Sequence, residues 1–173
     1  MEKDRLCVRF RLGDQSFGLP VGEVREITHA STVAGVPLAP AAVRGLLSLR
    51  GRVITLLDPS ALLGPPLPPA RRPADRLCLL LAAPWEHVGL YVHAPVEILR
   101  GRGAAIRPGV AAAVATAAGD AVEMGAPGVR GIVRELAHAS GSLIQMISAR
   151  DLLARCDASV VDLFRRGAPR EVA

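Results

Sequence analysis

The sequence predicts a mainly β protein built from two similar small barrels, and three observations carry that prediction. Short apolar runs with strand-like patterning recur along the chain, separated by Gly, Pro and Asp turn signals. The phrase VRGLL (43–47) returns as VRGIV (129–133), and GLPVGEVREI (18–27) lies over GLYVHAPVEI (89–98) without gaps. A proline-rich stretch, GPPLPPARRPADR (64–76), divides the two copies. A repeat of roughly eighty residues is too long for a solenoid and points to duplication of a small closed unit.

Each element follows from its residues. LCVRFRL (6–12) alternates apolar and polar once Cys7 is set aside, Gly13-Asp14 is a turn, and QSFGLPV (15–21) returns as the second strand. VGEVREITHA (21–30) is a helical turn leading into a third strand. VPLAP (36–40) is extended, and Pro40 opens a short helix through Ala41, Ala42 and Val43. GLLSL (45–49), a turn at Arg50-Gly51 and VITLLD (53–58) form a hairpin. PSALLG (59–64) is a helix with Asp58 at its N-cap and glycine at its end. After the linker, RLCLLLAA (76–83), a turn at Pro84 to Glu86 and HVGLYVH (87–93) make another strand pair. LIQMISARDLL (143–153) repeats VITLLDPSALL (53–63), and ELAHASGS (135–142) stands as a longer turn where the first copy has Arg-Gly. The expected lobes are about 6–63 and 76–155, with 64–75 as linker. Residues 101–128, rich in Ala and Gly, form an inter-strand loop. Val160, Val161, Leu163 and Phe164 give 157–166 the spacing of a terminal helix.

Composition narrows the function. Half of the 173 residues are apolar, enough for a core without disulfides. The net charge of +5 is carried almost wholly by arginine, scattered and set beside acids, as in Arg25-Glu26, Arg134-Glu135 and Arg150-Asp151. Nucleic-acid binding needs a one-signed face or interleaved aromatics, and neither is present. Cys7, Cys78 and Cys156 are far apart with no CxxC, which suits a reducing compartment. No leader and no apolar run of roughly 20 residues is visible, so a soluble cytoplasmic protein is expected, with no direct membrane insertion.

Catalytic and metal-site patterns fail one by one. His87 and His93 would sit about 20 Å apart on a strand, too far to share a metal, and His29 and His138 lack a ligand-spaced partner. Ser140-Gly141-Ser142 reads as a turn with no nucleophile elbow, and GRG at 101–103 lacks a strand–turn–helix setting. No enzyme, cofactor or metal is expected. The PxxP pattern of the linker matches an SH3 ligand, and an internal connection explains the same prolines.

The segment REI (25–27) followed by VPLAPAAVRGLLSLRGRVITLLDPSALLG (36–64) resembles the chemotaxis coupling protein family, the CheW-like domain. VGLYVHAPVEIL (88–99), VRGIV and LIQMISARDLL extend the likeness over roughly residues 6–165. It implies two pseudo-symmetric five-stranded SH3-like β-barrels packed side by side, with short connecting helices and a C-terminal helix. It implies a non-enzymatic adaptor, cytoplasmic and recruited to membrane receptor arrays. The partners it implies are a chemoreceptor tip, the regulatory domain of a chemotaxis histidine kinase and other CheW-like domains in rings. The receptor hairpin would enter an apolar groove between the barrels, and the kinase domain would meet the barrel ends. Carried over, the partner-binding residues are Val24, Arg25, Glu26, Val43, Gly45, Ser48, Arg50, Gly51, Leu77 and Gly89. Glu26 and Arg50 are expected to pair. Ser48 stands where the family usually has Asn, and His93 where it usually has an acid. Relatives that bind one partner alone, or serve pilus motility or development, share the pattern, and a basic nucleic-acid-binding barrel is the competing class.

Overall fold

A computed structural model describes residues 3–105, 132–133, 135–139 and 141–156. In chain order the elements are β1 (Lys3–Leu12), β2 (Gln15–Pro20), β3 (Val24–His29), β4 (Val33–Ala34), β5 (Val43–Leu49), β6 (Arg52–Leu57) and α1 (Pro59–Leu63), then β7 (Arg76–Leu81), β8 (Val88–His93), β9 (Glu97–Ala105), β10 (Glu135–Ala139), β11 (Ser142–Met146) and α2 (Ala149–Leu153). Single 3-10 turns at Val21–Glu23 and Pro73–Asp75 lead into β3 and β7.

The strands form two lobes, but not the consecutive halves 6–63 and 76–155. β1, β2, β11, β10 and β9 close into a barrel, and β3, β7, β8, β6, β5 and β4 form a six-stranded sheet in that order. Each lobe takes its first hairpin from one repeat and its remaining strands from the other. The chain crosses between lobes at β2–β3 and again at β8–β9. Those are the same point of the repeat, GLPVGEVREI and GLYVHAPVEI, so the sequence likeness marks the crossovers. Three pairings match: β1–β2 with β7–β8, parallel β2–β11 with parallel β8–β6, and β1–β9 with β7–β3.

Burial follows from this exchange. Val8, Phe10, Leu12, Phe17 and Leu19 from the barrel meet Leu57, Leu79, Leu81, Leu90 and Val92 from the sheet in one core between the lobes. Cys7 breaks the alternation because it fills the barrel's own interior, with Ala137, Ile144 and Met146. Its counterpart Cys78 lies inside the sheet with Leu47, Ile54, Leu56, Leu80 and Tyr91. Strands that face two cores carry apolar residues on both sides. Burial raises the Cys7 thiol above its ordinary value and pushes Cys78 up to about 12.

Several local expectations shift. Pro40 starts a turn, its carbonyl accepting from Val43 N at 2.8 Å, and Val43 already belongs to β5. ELAHA is strand β10 and the turn after it is short, with Gly141 at φ +74°. Residues 101–105 continue β9 instead of opening the expected loop. The helix expected at 157–166 and the rest of 101–128 lie outside the described residues.

The proline-rich segment is held between the lobes. Gly13 N donates to Pro66 O at 2.6 Å, the His93 ring donates through Nδ1 to Pro68 O, and Leu67 packs on both the inter-lobe core and the sheet interior. These contacts engage the PxxP stretch internally. The helices are capped by different routes. Asp58 caps α1, accepting from Ser60 N at 2.9 Å. Glu23, in the β2–β3 crossover, accepts from Ala149 N at 2.6 Å at the start of α2.

Candidate docking face

The face begins with a strained turn. Arg50 and Gly51 join β5 to β6 with φ of +50° and +78°. Two positive φ values match the twist of a two-residue hairpin, yet they favour Asn, Asp or Gly at the first position. An arginine there costs about 1–3 kcal/mol in backbone strain. Its side chain shows what holds it. The guanidinium fork donates to both Glu26 carboxylate oxygens, at 2.8 and 3.1 Å. Arg50 remains 74% exposed and Glu26 26% exposed, so the fork is fixed yet presented to solvent.

Glu26 is positioned by a bulge. The β3–β7 register slips between Val24 and Glu26, which frees Arg25 from the ladder. Arg25 then reaches Glu86 at 3.3 Å, in the turn before β8. Because β3 is an edge of the six-stranded sheet, the Glu26–Arg50 pair joins that edge to the β5–β6 tip. The sheet is therefore curled far enough for its edge to meet its own hairpin. Ser48 is exposed on β5 and registers with the exposed Val53 across the hairpin, beside this clamp.

The apolar part of the face lies on the other side of β3 and on its neighbour β7. Val24 and Leu77 are half-buried against the inter-lobe core. Ile27, which registers with Leu79 of that core, is 37% exposed next to them. Ile27 is absent from the residues expected from sequence. Its signal was available: once the bulge displaces Arg25, Val24 and Ile27 share a side.

Three expected residues stand elsewhere. Val43 is in the inter-lobe core. Gly45 has φ of +150°, and a Cβ there would lie 2.4 Å from the Ala34 carbonyl oxygen, so β4 occupies the space a partner backbone would need. Gly89 is buried inside the sheet, where a Cβ would sit 2.4 Å from Cys78 Sγ. Its counterpart Gly18 meets Met146 Sδ and Ile144 in the barrel in the same way. The VRG phrase thus has a structural reading. Val43 fills the core, Arg44 lies over the Tyr91 ring at 5.1 Å, and Gly45 admits β4. Among the described residues no cluster of three His, Cys, Asp or Glu is placed to hold a metal ion, and no helix is long and apolar enough to cross a membrane.

An intertwined two-lobed β scaffold with a clamped arginine turn beside an apolar rim defines a class of protein that works by presenting surface. The chain belongs to the CheW-like domain family, whose profile matches residues 6–157. It is 35% identical over 96 residues to the probable chemotaxis protein CheW of Rhizobium etli, spanning 56% of this chain and 61% of that protein. It is 38% identical over 96 residues to the chemotaxis protein CheW of Rhizobium meliloti, spanning 55% of this chain and 60% of that protein. Protein PilI of Pseudomonas aeruginosa is 34% identical over 65 residues, 38% of this chain and 36% of that protein. The matches to the two rhizobial proteins thus span about three fifths of their length. The crystal structure of the scaffolding protein TtCheW from Thermoanaerobacter tengcongensis superposes with a TM-score of 0.64 at 19% identity, over 87% of this chain and 92% of that one, a likeness of fold.

Proposed function

We propose that this chain is a non-enzymatic adaptor that couples chemoreceptor cytoplasmic tips to a chemotaxis-type histidine kinase. The observation that carries the reading is the Glu26–Arg50 clamp, which holds an exposed arginine in a strained turn at the rim of an apolar face. A fold has little use for that combination, since an exposed ion pair stabilises by less than about 1 kcal/mol, and the backbone strain opposes it. A docking surface does, because a fixed fork loses little entropy on meeting a partner. The apolar rim of Val24, Ile27 and Leu77 suits a helical receptor hairpin, and the Arg50–Gly51 end suits the kinase regulatory domain or another CheW-like domain in a ring. The protein would act in the cytoplasm, recruited to membrane receptor arrays. The kinship with CheW proteins of two rhizobia supports this reading, and the likeness to PilI supports a pilus-motility pathway as the alternative setting.

The test is titration of the purified chain against a receptor-tip fragment and against the kinase regulatory domain. Saturable binding to both is expected, with Ile27→Glu weakening the receptor arm and Arg50→Glu the kinase arm at least ten-fold. Binding to one partner alone would make the chain a regulatory paralogue instead, and binding to neither would overturn the adaptor reading.

A further inference from the structure

The pseudo-symmetry places a second apolar rim at the other end of the inter-lobe core. Val8 registers with Ile98 as Leu79 registers with Ile27, and Leu6 occupies on β1 the position of Leu77 on β7. Val96 packs on the inter-lobe core as Val24 does. The two rims differ in exposure and charge. Leu6 is 46% and Ile98 59% exposed, against 37% for Ile27. By register, the face of β1 and β9 that holds Leu6 and Ile98 also takes Arg100, whereas the equivalent positions beside Ile27 and Leu77 carry no arginine. Exposed Arg100 pairs in register with Leu6, which sets a cation directly beside the apolar pair.

We propose that Leu6 and Ile98, flanked by Arg100, form a second docking surface, for an acidic amphipathic helix of a partner protein. The closed barrel decides between helix and strand. β1 is paired on both sides, by β2 and β9, and β9 by β1 and β10, so neither offers a free backbone edge for strand addition. Recognition must run through side chains, and a helix with leucines at i, i+3, i+4 and i+7 presents such a stripe. An acid beside the stripe meets Arg100. The Glu97–Arg9 pair spans the β1–β9 ladder beneath this surface, so Glu97 is already engaged and does not repel an acidic partner.

The probe is a fluorescein-labelled twenty-residue peptide with leucines at that spacing and glutamates flanking them. Its controls are a lysine-for-glutamate peptide and a scrambled peptide of the same composition. Anisotropy of the full chain should give saturable binding of the glutamate peptide only, weakened at least ten-fold by Ile98→Glu and left within two-fold by Ile27→Glu. Ile98→Ser with a matching melting curve keeps the test open if Ile98→Glu does not fold, and amide shifts confined to residues 6–8 and 97–100 should locate the site. No saturable binding, equal binding of the lysine peptide, or indifference to both Ile98 variants would overturn the proposal. So would binding that emerges only when the chain is cut after Cys156, since the surface would then belong to the chain's own tail. Receptor-fragment binding that is lost with Ile27→Glu and kept with Ile98→Glu separates this surface from the adaptor face.

Discussion

The closed barrel and the six-stranded sheet are built from equivalent strands and finished in different ways. In the barrel, β9 and β10 pair along four register positions from Glu135–Ala105 to His138–Arg102, so backbone hydrogen bonds close the ring. Glu97, the barrel's counterpart of Glu26, is then free to pair with Arg9 on the neighbouring strand. In the sheet the order runs from β3 to β4, and among the described pairings none joins β3 to β5. Glu26 reaches instead to Arg50 across that gap. One glutamate in each copy is thus assigned to a local cross-strand pair or to bridging a seam. Backbone closure leaves the barrel without a seam, and side-chain closure leaves a charged, specific and separable latch on the sheet.

The comparison can be broken most severely through what the lobes share. Phe10→Ala removes a ring stacked 6.0 Å from Phe17 in the inter-lobe core and should cost about 3–5 kcal/mol. Both lobes should still melt in one transition by calorimetry, because neither keeps a core of its own large enough to persist. Two separate transitions would show the lobes to be independent. Next is Gly45→Ala, which forces a Cβ against the Ala34 carbonyl at a φ that favours glycine. A loss of about 2–4 kcal/mol is expected in denaturant titration. Gly18→Ala in the barrel meets two side chains, Met146 and Ile144, rather than a carbonyl and should cost about half as much, which tests whether the sheet is the less forgiving lobe.

Smaller effects sharpen the contrast. Glu23→Ala and Asp58→Ala each remove a helix cap and should lower stability by about 1 kcal/mol. Only Glu23→Ala should raise amide exchange in both lobes, since Glu23 ties a crossover to α2. Arg50→Ala should change stability by less than about 1 kcal/mol, visible as a melting shift of a few degrees at most, while abolishing one partner in pull-down. Weakest is the thiol response. Burial favours the neutral Cys78 thiol in the folded state, so its contribution is complete below pH 9 and is lost as pH rises toward about 12. Native protein at pH 8 should therefore resist a thiol reagent at Cys78 that modifies it at once in denaturant. His87 acts from the other side: burial lowers its pKa, so its contribution is present above about pH 6.5 and is lost as pH falls.

Local elements were legible because local physics fixes them. The Gly13-Asp14 hairpin, the Asp58 cap, the glycine end of α1 and the Arg50–Gly51 turn each depend on a few adjacent residues. Lobe membership was not legible. The repeat reads the same whether each copy folds on itself or exchanges its first hairpin, and only tertiary pairing separates the two. Phase was lost where a copy had drifted. VRGIV aligns with VRGLL as letters, but β10 begins at Glu135, beyond the phrase, and Ile132 enters the inter-lobe core. For the docking face, Glu26 and Arg50 came from family resemblance. Gly45 and Gly89 stand where close packing inside a lobe requires glycine, and in sequence such a glycine looks like one required by a partner. Ile27 was passed over because the bulge that turns it beside Val24 leaves no mark in composition.

The two crossovers have a consequence for how the molecule holds together. A cut anywhere in 64–75 severs the covalent link between the repeats, yet each lobe still contains strands from both pieces. The fragments would share both lobes and the core between them, like two hands clasped with fingers exchanged. Nicked protein should therefore behave as a heterodimer of its own halves, and neither half alone can assemble a complete lobe.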